Sequence, residues 1–279
     1  MSASYEKRLL RVLDYIHANP TGDLSLDNLA EVAAMSRFHW HRVFHAMTGE
    51  TCAEVVRRMR LHRAACWLVQ TDWPVADVAA KVGYPSPQSF SRTFKAAFGL
   101  SPVSYRARGD LTAAQIMKSK GDFAMFDVKI ENRAALTLAG MAHKGPYLEI
   151  GSKFEQVAAV ATSRNLWPST RGMAGVYYDD PNAVAQADLR SHAGLILAEG
   201  VAVPDGLEQI TTHGGKTAIL TYKGPYSGLK AAYDYLYGSW LPQSGQEPAE
   251  AACYEVYLND PSQVPEDELL TEINLPLVA

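Results

Sequence analysis

Cysteine is scarce in this 279-residue chain: Cys52, Cys66 and Cys253 are scattered and form no CxxC pair. That excludes a disulfide framework and the ligand spacing of a zinc site. No apolar run approaches the roughly 20 residues of a membrane span, and residues 1–11 lack the basic-then-apolar order of a signal peptide. The chain is therefore read as cytoplasmic, with no membrane partner. There is no Ser-His-Asp arrangement and no phosphate-binding glycine loop. His41 and His45 have the i, i+4 spacing of a metal pair, but no Cys or carboxylate beside them completes a site. No metal, cofactor or catalytic residue is expected.

What the chain has is apolar residues, 47% of the total, and length enough for two domains with buried cores. Its formal charge of −4 divides unevenly, at +4 over residues 1–110 and −8 over residues 111–279. A weakly basic first half suits a polyanion, and an acidic second half favours neutral or cationic ligands.

In the first half, Leu9, Leu10, Val12, Leu13 and Ile16 make an amphipathic helix that ends near Asn19-Pro20. Ser25 caps a short helix through Ala33, a turn follows at Met35-Ser36, and residues 37–47 continue as a helix. Val75 to Val82, the turn at Gly83, and a helix with Ser86 as cap and Pro87 as first residue repeat the arrangement. An offset of 50 places Trp40 on Phe90, Arg42 on Arg92, Phe44 on Phe94 and Gly49 on Gly99. The helix-turn-helix unit is duplicated. Trp40, Phe44 and Met47 form a packing side, whereas Phe38, His41 and Arg42 share another side and match Gln88, Ser91 and Arg92 position for position. A long helix over residues 52–70 separates the units, and paired reading helices suit major-groove segments about 34 Å apart.

Over residues 5–108 the chain resembles the AraC/XylS family of transcription regulators. The resemblance rests on Ser36-Arg37-Phe38-His39-Trp40-His41-Arg42-Val43-Phe44, on Gly83-Tyr84 through Arg92-Thr93-Phe94-Lys95, and on Gly99-Leu100-Ser101-Pro102. It implies double-stranded DNA as partner, a base-facing role for Phe38, His41, Arg42, Gln88, Ser91 and Arg92, and a place near the phosphates for Arg37. Pro87 departs from the polar residue often found there and weakens sequence reading at that point.

A linker is expected at 111–123, with a short helix at 113–118. Beyond it lies a second internal repeat. His143-Lys144-Gly145-Pro146-Tyr147 matches Tyr222-Lys223-Gly224-Pro225-Tyr226 at an offset of 79, and Val176-Tyr177-Tyr178-Asp179-Asp180-Pro181 matches Val256-Tyr257-Leu258-Asn259-Asp260-Pro261 at 80. Each copy reads strand, turn, helix, strand, strand, and two copies suit one pseudo-symmetric α+β domain over 124–279 better than a solenoid. Helices on one face are expected to leave the other face free as a groove. Alternation along the strand puts Glu255 and Tyr257 on one face. The first copy has Gly175 where the second has Glu255, and a single carboxylate in an aromatic groove attracts a cation. Candidate walls are Tyr147, Tyr177, Tyr226, Tyr257, Trp167 and Trp240.

This half resembles the GyrI-like effector-binding domain, through the paired Lys-Gly-Pro-Tyr, Trp240-Leu241-Pro242 and Glu255 to Pro261. The resemblance implies a small-molecule site with Glu255 as its carboxylate, and a DNA reader followed by such a domain is a Rob-like architecture. The function expected is a sequence-specific transcription regulator, an activator, modulated by a small lipophilic or cationic effector, with RNA polymerase a candidate partner. Two alternatives stay open: a GyrI-like hydrolase of reactive small molecules with Glu255 as key carboxylate, and a second domain that binds only protein.

Overall fold

The computed structural model describes residues 3–109 and 125–279; the linker expected at 111–123 and its short helix at 113–118 lie outside the described residues. Seven helices occupy residues 3–108: α1 (Ala3–Ala18), α2 (Leu26–Ala33), α3 (Arg37–Thr48), α4 (Cys52–Gln70), α5 (Val75–Lys81), α6 (Pro87–Phe98) and α7 (Pro102–Arg108). The described residues fall into two compact units, one of Ser36–Met47 with residues 125–279, the other of Ala3–Met35 with residues 48–109.

Local chemistry explains the helix starts in the second of these units. Thr51 and Glu54 form a reciprocal capping box, Thr51 N–H donating to Glu54 Oε2 at 2.8 Å and Glu54 N–H to Thr51 Oγ1 at 3.2 Å. Ser86 Oγ accepts from Ser89 N–H at 3.2 Å, with Pro87 at the first position, where its missing N–H costs nothing. Gly83 turns the chain between α5 and α6 at φ 79°, which a side chain would resist. The apolar stripes of α4, α5, α6 and α7 meet in one core that contains Leu61, Leu68, Val78, Val82, Phe90, Phe94 and Tyr105.

In the other unit an eight-stranded antiparallel sheet carries the architecture. Its strands are β1 (Val128–Arg133), β2 (Thr137–Lys144), β3 (Thr170–Tyr177), β4 (Arg190–Leu197), β5 (Glu208–Thr211), β6 (Gly215–Lys223), β7 (Cys253–Tyr257) and β8 (Leu270–Pro276). They lie in the order β1-β6-β8-β7-β3-β4-β2-β5. That order is symmetric about the β7–β3 pair, so the two copies meet back to back at the middle of the sheet. Each copy also has a leading strand, β1 where the alternation of residues 126–131 predicts one and β5 where the sequence reading has none, and the two are exchanged: β1 pairs with β6 of the second copy, β5 with β2 of the first. The exchange ties the repeats into one domain, because neither half-sheet is complete without a strand from the other.

Two helices, α8 (Gly151–Ser163) and α9 (Leu229–Tyr235), follow the Lys-Gly-Pro-Tyr turns, and α9 runs on into a π-helical turn at Leu236–Trp240. Here the structure corrects one expectation. The residues facing the helices are Met173, Gly175 and Tyr177 of β3 and Glu255 and Tyr257 of β7; Val157 and Ala161 of α8 pack with Met173 and Leu195, and Tyr233 of α9 bonds Glu255. The opposite face holds Leu138, Ala174, Val176, Ile196 and Tyr254. Glu255 therefore does not lie on a helix-free face. The helices pack on this side of the sheet, α8 on β2 and β4 and α9 on β6, to either side of the central strands.

Candidate functional site

Glu255 sits at the centre of the sheet with its register partner Gly175 opposite it, one from each copy. It is 4% exposed, and both carboxylate oxygens are held: Tyr233 Oη donates to Oε1 at 2.9 Å and Tyr257 Oη to Oε2 at 3.0 Å. Tyr177 Oη lies 2.7 Å from Tyr257 Oη. Since Tyr257 gives its proton to the carboxylate, Tyr177 is the donor in that pair. Three phenols thus converge on one carboxylate, and Gly175 makes room for them: a Cβ there would lie 2.9 Å from the Tyr177 ring and 3.0 Å from Tyr257 Oη.

More aromatic rings extend the wall. Tyr147 meets Tyr177 edge to face at 4.9 Å, Phe154 of α8 meets Tyr257 at 5.2 Å, and Tyr226 meets Tyr257 at 5.5 Å. Tyr233 and Tyr237 lie one turn apart, nearly parallel, with centroids 6.5 Å apart. Burial drives the Glu255 carboxyl above its ordinary range, against the pull of hydrogen bonds from Tyr233 and Tyr257 and of the nearby Arg42 charge. Burial likewise pushes the Tyr147 phenol up to about 12.

Within the same unit, α3 brings two side chains, one turn apart, to this wall. His39 is 1% exposed; its Nδ1 lies 2.8 Å from Tyr237 Oη, which in turn lies 2.9 Å from Cys253 Sγ. Arg42 is 8% exposed. Its guanidinium lies 4.9 Å from the Tyr233 ring centroid and 5.4 Å from that of Tyr237, and Nη2 donates to the Asp179 carbonyl at 3.0 Å. Burial alone lowers its proton affinity, but Tyr237, Cys253, Tyr233 and Asp180 around it more than compensate, so the guanidinium stays charged.

Buried neutral histidine has a consequence for pH. Burial and then the charge of Arg42 lower His39 to about 3, with the backbone at Ala249 and Ala251 pulling the other way. A histidine free in solution titrates near 6.5, so seated α3 is fully favoured above that value and loses up to about tenfold in population ratio per pH unit below it. Lowering the pH from 7.5 to 5.5 is therefore expected to reduce the amide-exchange protection factors of residues 37–47, each rate being divided by the intrinsic rate at that pH, by up to about tenfold; protection factors that are flat over that range contradict the burial of His39.

The residues singled out in the sequence divide clearly. Tyr147, Tyr177, Tyr226 and Tyr257 gather around Glu255. Trp167 is not among them: it is 43% exposed, and its indole N–H bonds Thr162 at the end of α8. Trp240 is half-buried in the π-helical turn. In α6, Gln88 and Arg92 are exposed and Ser91 is partly so, while Phe90 and Phe94 are buried. In α3, Arg37 is exposed with its guanidinium over the Phe38 ring at 5.1 Å, Phe38 and His41 are partly buried, and Arg42 is buried. Sequence reasoning missed Tyr233 and Tyr237. A signal existed: the 79-residue offset sets Tyr233 on Phe154, so only the copy with the carboxylate has a hydroxyl to meet it.

Residues 126–278 match the GyrI-like small molecule binding domain, and residues 29–108 match a helix-turn-helix domain. The chain is 40% identical over 95 residues to the HTH-type transcriptional activator AarP of Providencia stuartii, covering 34% of this chain and 70% of that one. It is 32% identical to the regulatory protein SoxS of Salmonella typhimurium, over 38% of this chain and 98% of that one. The transcriptional regulator Rob of the same organism is 26% identical over 78% of this chain and 79% of its own. Among the described residues no helix is long and apolar enough to cross a membrane, and no group of metal-ligating side chains is assembled.

Proposed function

We propose, for a chain that belongs to the AraC-type helix-turn-helix regulators and carries a GyrI-like small molecule binding domain, that it is a cytoplasmic transcription activator governed by a lipophilic cation bound at Glu255. The observation that carries the reading is the buried Glu255 carboxylate, with aromatic faces around it and both oxygens already oriented by phenols. Cation–π contact adds about 0.5–2 kcal/mol, and the ion pair is strengthened by exclusion of water. The same enclosure argues against hydrolysis, which needs a base open to water. RNA polymerase is the partner that activation requires.

The direct test is titration with tetraphenylphosphonium and with tetraphenylborate, which share a shape and differ in the sign of charge. Binding of the cation alone supports the reading; equal binding of both, or of neither, removes it. On the DNA side, base reading falls to Gln88, Ser91 and Arg92 of α6 and, once α3 leaves the tyrosine wall that buries Arg42, to Phe38, His41 and Arg42, with Arg37 near the phosphates. For Arg92→Ala we expect a loss of about 1–3 kcal/mol on the upstream region of the protein's own gene, with relaxed preference at one base pair. A gel shift over point-substituted fragments checks this, and unchanged affinity would sink the assignment of Arg92.

A further inference from the structure

Arg42 and Arg92 hold equivalent places in the two copies of the helix-turn-helix unit, yet they differ in surroundings: Arg92 is exposed on α6, whereas Arg42 is buried against the tyrosines that frame Glu255. Its guanidinium supplies what the site asks of a ligand, a delocalised positive charge laid over Tyr233 and Tyr237 on the Glu255 side of the sheet. We infer that Arg42 is a built-in surrogate ligand: α3 is kept from DNA while its guanidinium occupies the site, and a lipophilic cation entering the site displaces it. The inference rests on the cation reading of Glu255.

Three observations make this seat a competitive one. The five N–H donors of a guanidinium need partners when buried, but only Nη2 of Arg42 has one; Nε and Nη1 are buried without any. A tetraarylphosphonium brings the charge and no donors, so it replaces Arg42 without inheriting that cost. Next, Tyr233 serves both parties, donating to Glu255 and lying beneath Arg42, so an aryl cation stacked on Tyr233 takes the place of the guanidinium. Finally, the side chain involved is one of the base-facing set, so occupancy of the site and reading of DNA by α3 draw on the same atom group. Linkage then makes the effect reciprocal: whatever factor the cation contributes to DNA affinity, DNA contributes to cation affinity.

The test uses the full chain, tetraphenylphosphonium as probe, and two readouts. Arg42→Met keeps the apolar stem and removes the competing charge, so it is expected to bind the cation at least tenfold more tightly than the unsubstituted protein, with Arg42→Lys in between. In the unsubstituted protein the cation is expected to speed amide exchange of residues 37–47 while slowing that of 229–237, a measurement that needs no variant to fold. Equal cation affinity in Arg42→Met and the parent, or bound cation with exchange of 37–47 unchanged, overturns the competition and leaves the Glu255 site standing. Absence of cation binding in parent and variant alike overturns both.

Discussion

Glu255→Gln is expected to lower tetraphenylphosphonium affinity by about a hundredfold, the equivalent of roughly 2.7 kcal/mol, while the fold and the melting temperature change little. Glutamine preserves the shape and one acceptor, so Tyr233 or Tyr257 keeps a partner, but the buried negative charge is gone. The measurement is a calorimetric or tyrosine-fluorescence titration at pH 7.5, and affinity within threefold of the parent would falsify the cation site. The pH profile supplies an independent check. Burial holds the Glu255 carboxyl above its usual range, so a cation must find it ionised or expel its proton. Affinity for the cation should be level at high pH and fall, by up to about tenfold per unit, as pH drops through that raised value. In Glu255→Gln that fall should be absent.

Legibility of this molecule follows the range of the interactions involved. Caps and turns are local, so Ser25, Ser86 with Pro87, and the whole of α4 at Cys52–Gln70 were readable from a few adjacent residues. The repeats were readable too, since offsets of 50, 79 and 80 survive any ignorance of packing, and the Gly175/Glu255 mismatch singled out the odd carboxylate. Strand alternation assigns residues to one face or the other but does not say which face the helices cover, and that choice went the wrong way for Glu255. The strand β5 was missed because Glu208-Gln209-Ile210-Thr211 is short and polar, and it is a strand only because β2 offers it an edge. Tyr233 and Tyr237 read as packing on a helix, since nothing local distinguishes a phenol that spans to β7 from one that fills a core. Arg42 was the least accessible. Its partners Asp179, Tyr233 and Tyr237 lie well over a hundred residues along the chain, and its equivalence to Arg92 pointed to DNA alone.

The second large effect concerns the position that breaks the repeat. Restoring symmetry with Gly175→Glu is expected to destabilise the sheet domain by about 3–5 kcal/mol, because a second carboxylate would be buried across from Glu255, where the phenols of Tyr233 and Tyr257 are already engaged. Two like charges in adjacent register cannot both ionise cheaply, so one would stay protonated at neutral pH. Steric cost arrives even before charge: Gly175→Ala places a methyl group against the Tyr177 ring and the Tyr257 hydroxyl, and overpacking of this kind costs about 1–3 kcal/mol. Thermal unfolding should therefore order the proteins as parent, Gly175→Ala, then Gly175→Glu. Tetraphenylphosphonium should recover part of the loss in the glutamate variant, since two facing carboxylates attract a bound cation more strongly than one. A glutamate variant as stable as the parent would mean that the 175 side chain escapes the tyrosine cluster, and the requirement for glycine opposite Glu255 would fall with it. The asymmetry between the repeats is then a physical condition of the site: one copy supplies the carboxylate and the phenols Tyr233 and Tyr257, the other supplies Tyr177 and the space in which they meet.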